Sequence, residues 1–262
     1  MPRTTWHLRW RGAMQGTYGD TTLMAASLEE LRHILGWFAQ GRRAVEVPRF
    51  VLIGGWAVYC YNPWSRSVDI DLVMNQRTKR TLLHHLRTGR GYVRTGPEHL
   101  GGRRLQRPTP RGPIRLDIAS FESSFTFEGV DDALELAPIR GMVVERELEG
   151  TPVPVPERSM LLVMKLKAAW DRQWRVDHGT SADVDWDRAK ALKDLADILA
   201  LVDPESGGTE VDVDLLGSHL SRHPVLQEVL ERMATEPLAA IRYGIPHERA
   251  RRTVGRLLTL TK

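Results

Sequence analysis

The 262-residue sequence contains one cysteine, Cys60, and that scarcity removes two classes of architecture. Neither an intrachain disulfide nor a cysteine-rich zinc site can be built from it. No run of about 18 consecutive apolar residues occurs, and the opening MPRTTWHLRW lacks the unbroken apolar core of a signal peptide. The expectation is therefore a soluble, cytoplasmic protein with no membrane partner. Also missing are a Walker-type Gly-x-x-x-x-Gly-Lys-Ser/Thr, a His-Glu-x-x-His and a Gly-x-Ser-x-Gly, which sets aside the commonest ATPase, zinc-protease and serine-hydrolase chemistries. What is present suits an ordinary globular chain: 42% apolar and 27% charged residues, at a length that fits one large domain or two lobes.

Acidic residues are scarce in one region. Residues 77–115 carry 11 Lys/Arg against 1 Glu, a local balance of +10 within a chain whose net charge is +4. Residues 116–241 carry 12 basic and 25 acidic residues, or −13. A basic block of this density attracts polyanions such as nucleotides or RNA; as a bland alternative it is a solvated arginine-rich face.

Periodicity and punctuation divide the chain. Ser27-Leu-Glu-Glu30 reads as a capping box opening a helix at about 27–40. Arg49–Ile53 reads as a buried strand that stops at Gly54-Gly55, and Trp56–Tyr61 as a short helix ended by Pro63. Val68–Met74 alternates apolar and acidic residues as a half-buried strand does, and Ile114–Ala119 repeats the pattern. Between them lie a basic helix over Arg77–Thr88, a short strand within Gly91–Thr95, and a loop across Gly96–Gly112. Beyond Thr151–Pro156, an extended connector or edge strand, helices are predicted over about 157–174, 184–202, 212–221, 224–235 and 246–260, with Pro204, Pro224, Pro237 and Pro246 as breakers. The outline is an α/β lobe over 1–150 and a helical lobe over 151–262.

Asp69 and Asp71 stand two apart on a strand and so project from one face, while Val68, Ile70 and Leu72 point to the other. Asp117, between Leu116 and Ile118, supplies a third carboxylate if its strand lies beside the first. Crowded carboxylates repel unless cations neutralise them, and their hard oxygens suit Mg²⁺ or Mn²⁺. The turn Gly54-Gly55, leading into a helix, lets backbone N–H groups approach phosphate oxygens without a Cβ in the way. Each piece alone has a structural reading, as the wet face of a strand or a plain turn. Their order is more specific.

That order, strand, Gly-Gly, short helix, Arg66-Ser67, Asp-x-Asp strand and later lone-Asp strand, resembles the polymerase-β-type nucleotidyltransferase fold. More closely, Ile53-Gly-Gly-Trp-Ala57 and Arg66-Ser-Val-Asp-Ile-Asp-Leu72 look like the AbiEii/AbiGii toxin family, nucleotidyltransferase-like effectors of toxin–antitoxin and abortive-infection systems. Many polymerase-β-type enzymes carry serine as the second turn residue; here it is Gly55. Lys165-Leu-Lys-Ala168 with Arg172, and Lys193-Asp-Leu-Ala-Asp197, resemble that family's Lys-x-x-Ala-x-x-x-Arg and Lys/Arg-Asp-x-x-Asp helices. The alternative for these helices is an interhelical salt-bridge network. The resemblance covers roughly residues 50–200.

It implies an α/β (α+β) mixed-sheet lobe with a C-terminal helical lobe, and a metal-dependent enzyme that moves a nucleoside monophosphate from an NTP, ATP among the candidates, to an acceptor hydroxyl. Asp69, Asp71 and Asp117 would be the catalytic, metal-holding groups. Gly54, Gly55, Arg66, Lys165 and Asp194 would hold the nucleotide. The resemblance permits a tRNA, another RNA or a protein hydroxyl as acceptor and an antitoxin as partner; the basic block at 77–115 favours RNA and makes Arg103, Arg104 and Arg107 the expected acceptor contacts. The competing expectation is a non-catalytic nucleotide- or RNA-binding module. Cys60 reads as a buried small side chain, and Trp64, beside the acidic strand, as the one tryptophan suited to base stacking.

Overall fold

The computed structural model describes residues 20–40, 48–95 and 103–261. Helix α1 (Thr21–Gln40) precedes β1 (Phe50–Ile53), α2 (Gly54–Tyr61), β2 (Ile70–Met74), α3 (Gln76–Gly89), β3 (Val93–Arg94), β4 (Arg103–Arg107) and β5 (Ile114–Ser120). The five strands form one mixed sheet in the order β1-β2-β5-β4-β3, with β2 and β5 parallel and the other pairs antiparallel. Val51, Leu52, Ile70, Leu72, Leu116 and Ile118 are fully buried, and α1 and α3 both pack against β5. The alternating pattern of β2 and β5 thus assigns one face to core and the other to the acidic residues.

Two hairpins follow, β6 (Ser124–Thr126) with β7 (Ala133–Glu135) and β8 (Val143–Leu148) with β9 (Thr151–Pro156). Residue 150 lies in the turn of the second. Among the described residues six α-helices follow: α4 (Arg158–Asp177), α5 (Val184–Val202), α6 (Val213–Arg222), α7 (Pro224–Met233), α8 (Pro237–Tyr243) and α9 (His247–Leu260). The architecture is α+β, a mixed-sheet part followed by a helical part, as the sequence led us to expect. None of the described helices is long and apolar enough to cross a membrane.

Three local expectations are corrected. The capping box at Ser27 does not begin a helix, because Asp20 caps α1 instead, accepting from Thr22 N at 2.9 Å and Leu23 N at 3.1 Å. Ser27 and Glu30 are buried mid-helix, where Ser27 accepts from Trp56 Nε1 and Glu30 pairs with Arg90 and Arg107. Residues 103–107 are strand rather than loop: Leu105 is fully buried, and Arg104 and Arg107 are paired with Asp117 and Glu30. Between the helices expected at 224–235 and 246–260 lies a further one, α8, which Pro237 starts, since its missing N–H falls in the first turn, where no intrahelical partner exists. The part of the expected loop at 96–102 lies outside the described residues.

α5 is the central helix of the second half. Fifteen of its 19 residues are buried, among them Lys190, Lys193, Asp194 and Asp197. A helix buried on nearly all sides must neutralise such groups within the protein, and each of the four is found in an ion pair.

Candidate active site

The three acidic residues come together at the sheet. Asp71 and Asp117 are register partners on the adjacent parallel strands β2 and β5, and Asp69 directly precedes β2. Ile53, the last residue of β1, is the register partner of Asp71 on the other side, so the Gly54-Gly55 turn opens beside that carboxylate. Gly54 has φ +70°, and a Cβ there would overlap the Asp71 carboxylate. Both facts require glycine.

Gly55 is needed for another reason. A Cβ on it would sit 2.8 Å from Ser67 Oγ and 3.1 Å from Lys193 Nζ. The space that a serine would use at this turn is therefore filled by the hydroxyl of Ser67, which is itself buried. Gly55→Ser is expected to lower stability by about 1–3 kcal/mol through overpacking, and Ser67→Gly in the same chain to restore most of it. A Gly55→Ser single variant with an unchanged melting temperature would show that Ser67 and Lys193 simply move aside.

α5 forms the roof. Trp186, Lys190, Lys193 and Asp197 recur at spacings of four, three and four, a single helical stripe. The stripe crosses the sheet in strand order: Trp186 lies over Arg115 of β5, Lys190 reaches Asp69 before β2, and Lys193 approaches Gly55 at the end of β1. At about 1.5 Å rise per residue the seven residues from Trp186 to Lys193 span about 10 Å, close to two interstrand spacings.

Charges are matched across this cleft. Lys190 Nζ pairs with Asp69 Oδ2, and Arg104, opposite Asp117 on β4, donates to both of its oxygens at 2.9 and 3.0 Å. Lys165 Nζ holds Asp194 at 3.0 Å and Asp197 at 2.7 Å, Arg172 pairs with Asp194, and Lys193 donates to Asp197 at 2.9 Å. Burial alone would raise the Asp194 carboxyl, but Arg172 and Lys165 outweigh it and hold it down at about 2. Asp71 differs: burial, followed by the charges of Asp117 and Asp69, pushes its carboxyl up to about 7 against the opposing influence of Lys190 and Lys165.

Three carboxylates, hard oxygen donors of the type a divalent cation takes, gather at one end of the sheet, and one of them resists ionising. Among the described residues no three such groups close on a single point at ligand distance, with Asp69 held by Lys190 and Asp117 by Arg104.

The remaining expected residues are placed as follows. Arg66 donates to Glu149 Oε1 at 2.9 Å, an oxygen that Tyr59 OH also approaches at 2.7 Å. Arg107 pairs with buried Glu30, and the side chain of Arg103 lies outside the described set. Trp64 donates to Asp197 Oδ1 at 3.2 Å, lies under Lys193 and meets Tyr243 edge-on, so it anchors α5. Cys60 is half-buried rather than buried, and its thiol is pushed up to about 12 by desolvation. Sequence reasoning overlooked Lys190. The signal available was its position three residues before Lys193 on the Lys193-Asp194-x-x-Asp197 stripe.

No family model matches the chain, and no curated protein matches it. Among solved structures the chain is similar to an antigenic nucleotidyltransferase-like protein from Paracoccidioides brasiliensis, with 14% identity, 86% of this chain and 94% of that chain covered, and a TM-score of 0.44.

Proposed function

We propose that this chain is a metal-dependent nucleotidyltransferase that moves a nucleoside monophosphate from an NTP to an acceptor hydroxyl and releases pyrophosphate. The observation that supports it best is the lateral pairing of Asp71 with Asp117 beside a glycine turn that a Cβ would close. Asp69, Asp71 and Asp117 would hold Mg²⁺ or Mn²⁺. Such ions, when bound, neutralise phosphate charge and lower the pKa of an attacking hydroxyl. The chain's own groups do the rest. Gly54 and Gly55 let the turn pack against Asp71 and Ser67, and their backbone N–H groups are assigned to phosphate oxygens, while Asp194, held ionised, keeps Lys165 and Arg172 in place. Arg66 and Lys165 are assigned to the triphosphate, each exchanging a carboxylate partner for phosphate on nucleotide binding. The AbiEii/AbiGii resemblance extends the reading to a toxin acting with an antitoxin partner, with the chain divided near residue 150.

RNA is the favoured acceptor because Arg77, Arg80, Arg87, Arg94 and Arg111 are exposed, whereas Arg104 and Arg107 hold carboxylates. Incubating the protein with each labelled NTP, Mg²⁺ or Mn²⁺, total tRNA and cellular protein tests this. The expected result is label on RNA, with affinity falling by roughly 0.7–0.9 log units per log unit of salt for each phosphate contacted. Label on protein with a shallow salt dependence would move the acceptor to a protein hydroxyl. A second reading, a non-catalytic nucleotide- or RNA-binding module, is favoured by one observation: Lys190 and Arg104 already neutralise two of the three carboxylates. NTP binding without label on any acceptor would select it.

A further inference from the structure

A cationic corner stands next to the carboxylates, where Arg115, Lys190 and Arg172 gather around Trp186. Arg115 lies two residues before Asp117 on β5, so both side chains leave the same face of the sheet, toward α5. The Arg115 guanidinium stands 5.3 Å from the centre of the Trp186 ring, and Lys190 and Arg172 approach the same ring at 5.7 and 5.9 Å. Lys190 and Arg172 are balanced by Asp69 and Asp194. Arg115 forms no ion pair with any carboxylate among the described residues, although it is half-buried. The indole Nε1–H of Trp186 is buried and meets no acceptor among the described residues.

These observations point to one ligand chemistry. A guanidinium held over an aromatic face, as Arg115 is over Trp186, carries a planar fork of N–H donors that matches phosphate oxygens. A buried N–H without an acceptor is unfavourable, and an oxygen-rich anion relieves it while balancing the third cation of the cluster. From this we infer that Arg115 and the indole N–H of Trp186 form a phosphate-binding subsite beside Asp117, bridging the sheet and α5. The inference rests on the nucleotidyltransferase reading only for the source of the phosphate, which is either the triphosphate tail of the nucleotide or a backbone phosphate of the acceptor strand.

Titration calorimetry on the full chain, with inorganic tripolyphosphate, ATP and a short RNA oligonucleotide as separate probes, tests the subsite. Arg115→Gln is expected to weaken at least one of these probes about tenfold or more, and Trp186→Phe, which keeps the ring and removes the N–H, by a smaller factor for the same probe. Arg115→Lys keeps the charge but not the fork, and should fall between wild type and Arg115→Gln. Loss confined to tripolyphosphate and ATP places the nucleotide's tail in the subsite; loss confined to RNA places an acceptor phosphate there. Wild type that binds none of the three, or variants whose affinities all equal wild type, would overturn the subsite. Transfer is not part of this readout. A chain that labels no acceptor yet loses tripolyphosphate affinity in Arg115→Gln keeps the subsite without the transferase, and an active chain with unchanged affinities in all three variants does the reverse.

Discussion

Asp71→Asn is expected to abolish nucleotidyl transfer and, in the same variant, to stabilise the metal-free chain at alkaline pH. Asp71 has its carboxyl raised from an ordinary 3.8 to about 7 in the folded protein by burial and by the neighbouring Asp117 and Asp69. A carboxyl raised on folding favours the folded state while it is protonated, below its unfolded pKa. That advantage is lost as pH climbs from about 4 through about 7, where the folded chain must ionise it against its neighbours. Asparagine never ionises, so wild type and variant should converge near pH 4 and separate above it, with the variant ahead by up to about 4 kcal/mol at pH 8. Transfer should fall by at least about a hundredfold to a thousandfold, the scale seen when one group stabilising transition-state charge is removed. Urea unfolding at pH 4, 6 and 8, together with the labelled-NTP assay, measures both effects. Turnover near wild type would sink the assignment of Asp71. Asp69→Asn provides the contrast: it leaves buried Lys190 without that carboxylate and should cost about 3 kcal/mol of stability as well as activity.

The second large effect belongs to Lys165. Its Nζ is buried between Asp194 and Asp197, so Lys165→Met keeps most of the volume but leaves two buried carboxylates short of a cation. Removing one partner of a buried ion network costs about 3–5 kcal/mol. Asp194 sets the pH dependence. Held down at about 2, it contributes stability above its unfolded pKa near 3.8 and loses that contribution as pH falls through about 2. Lys165 is one cause of that depression, so the gap between wild type and variant should be widest at pH 7 and narrow below pH 4. An unchanged urea midpoint at pH 7 would show that Lys193 and Arg172 suffice without it. In that case calorimetric NTP affinity in the same variant becomes a clean measure of Lys165 at the triphosphate, with no stability change to confound it.

Much of the sheet was legible because strand alternation is a local signal. Val68–Met74 and Ile114–Ala119 each carry apolar and polar residues at period two, and β2 and β5 appear there. The Gly54-Gly55 turn was equally plain. β4 was missed because its arginines and neighbouring glycines and prolines look like loop, and what makes it a strand is a distant partner: Arg104 opposite Asp117. Glu30 misled in the opposite direction. Its spacing from Ser27 imitates a cap, yet it is the buried acceptor of Arg90 and Arg107, 60 and 77 residues away.

By itself the sequence determined the α+β order of elements, the glycine turn and the acidic faces of two strands, since each depends on residues within a few positions of one another. Only the tertiary structure decided how charge is distributed over them. It brought Lys190 to Asp69 across 121 residues and Arg104 to Asp117, and it placed Arg115 under Trp186. It also gave the space beside Gly55 to Ser67. The physical reason is range. Backbone periodicity is set by neighbours along the chain, whereas the pairing of a buried charge is set by whichever opposite charge the fold brings within a few ångströms, and no spacing in the sequence encodes that distance.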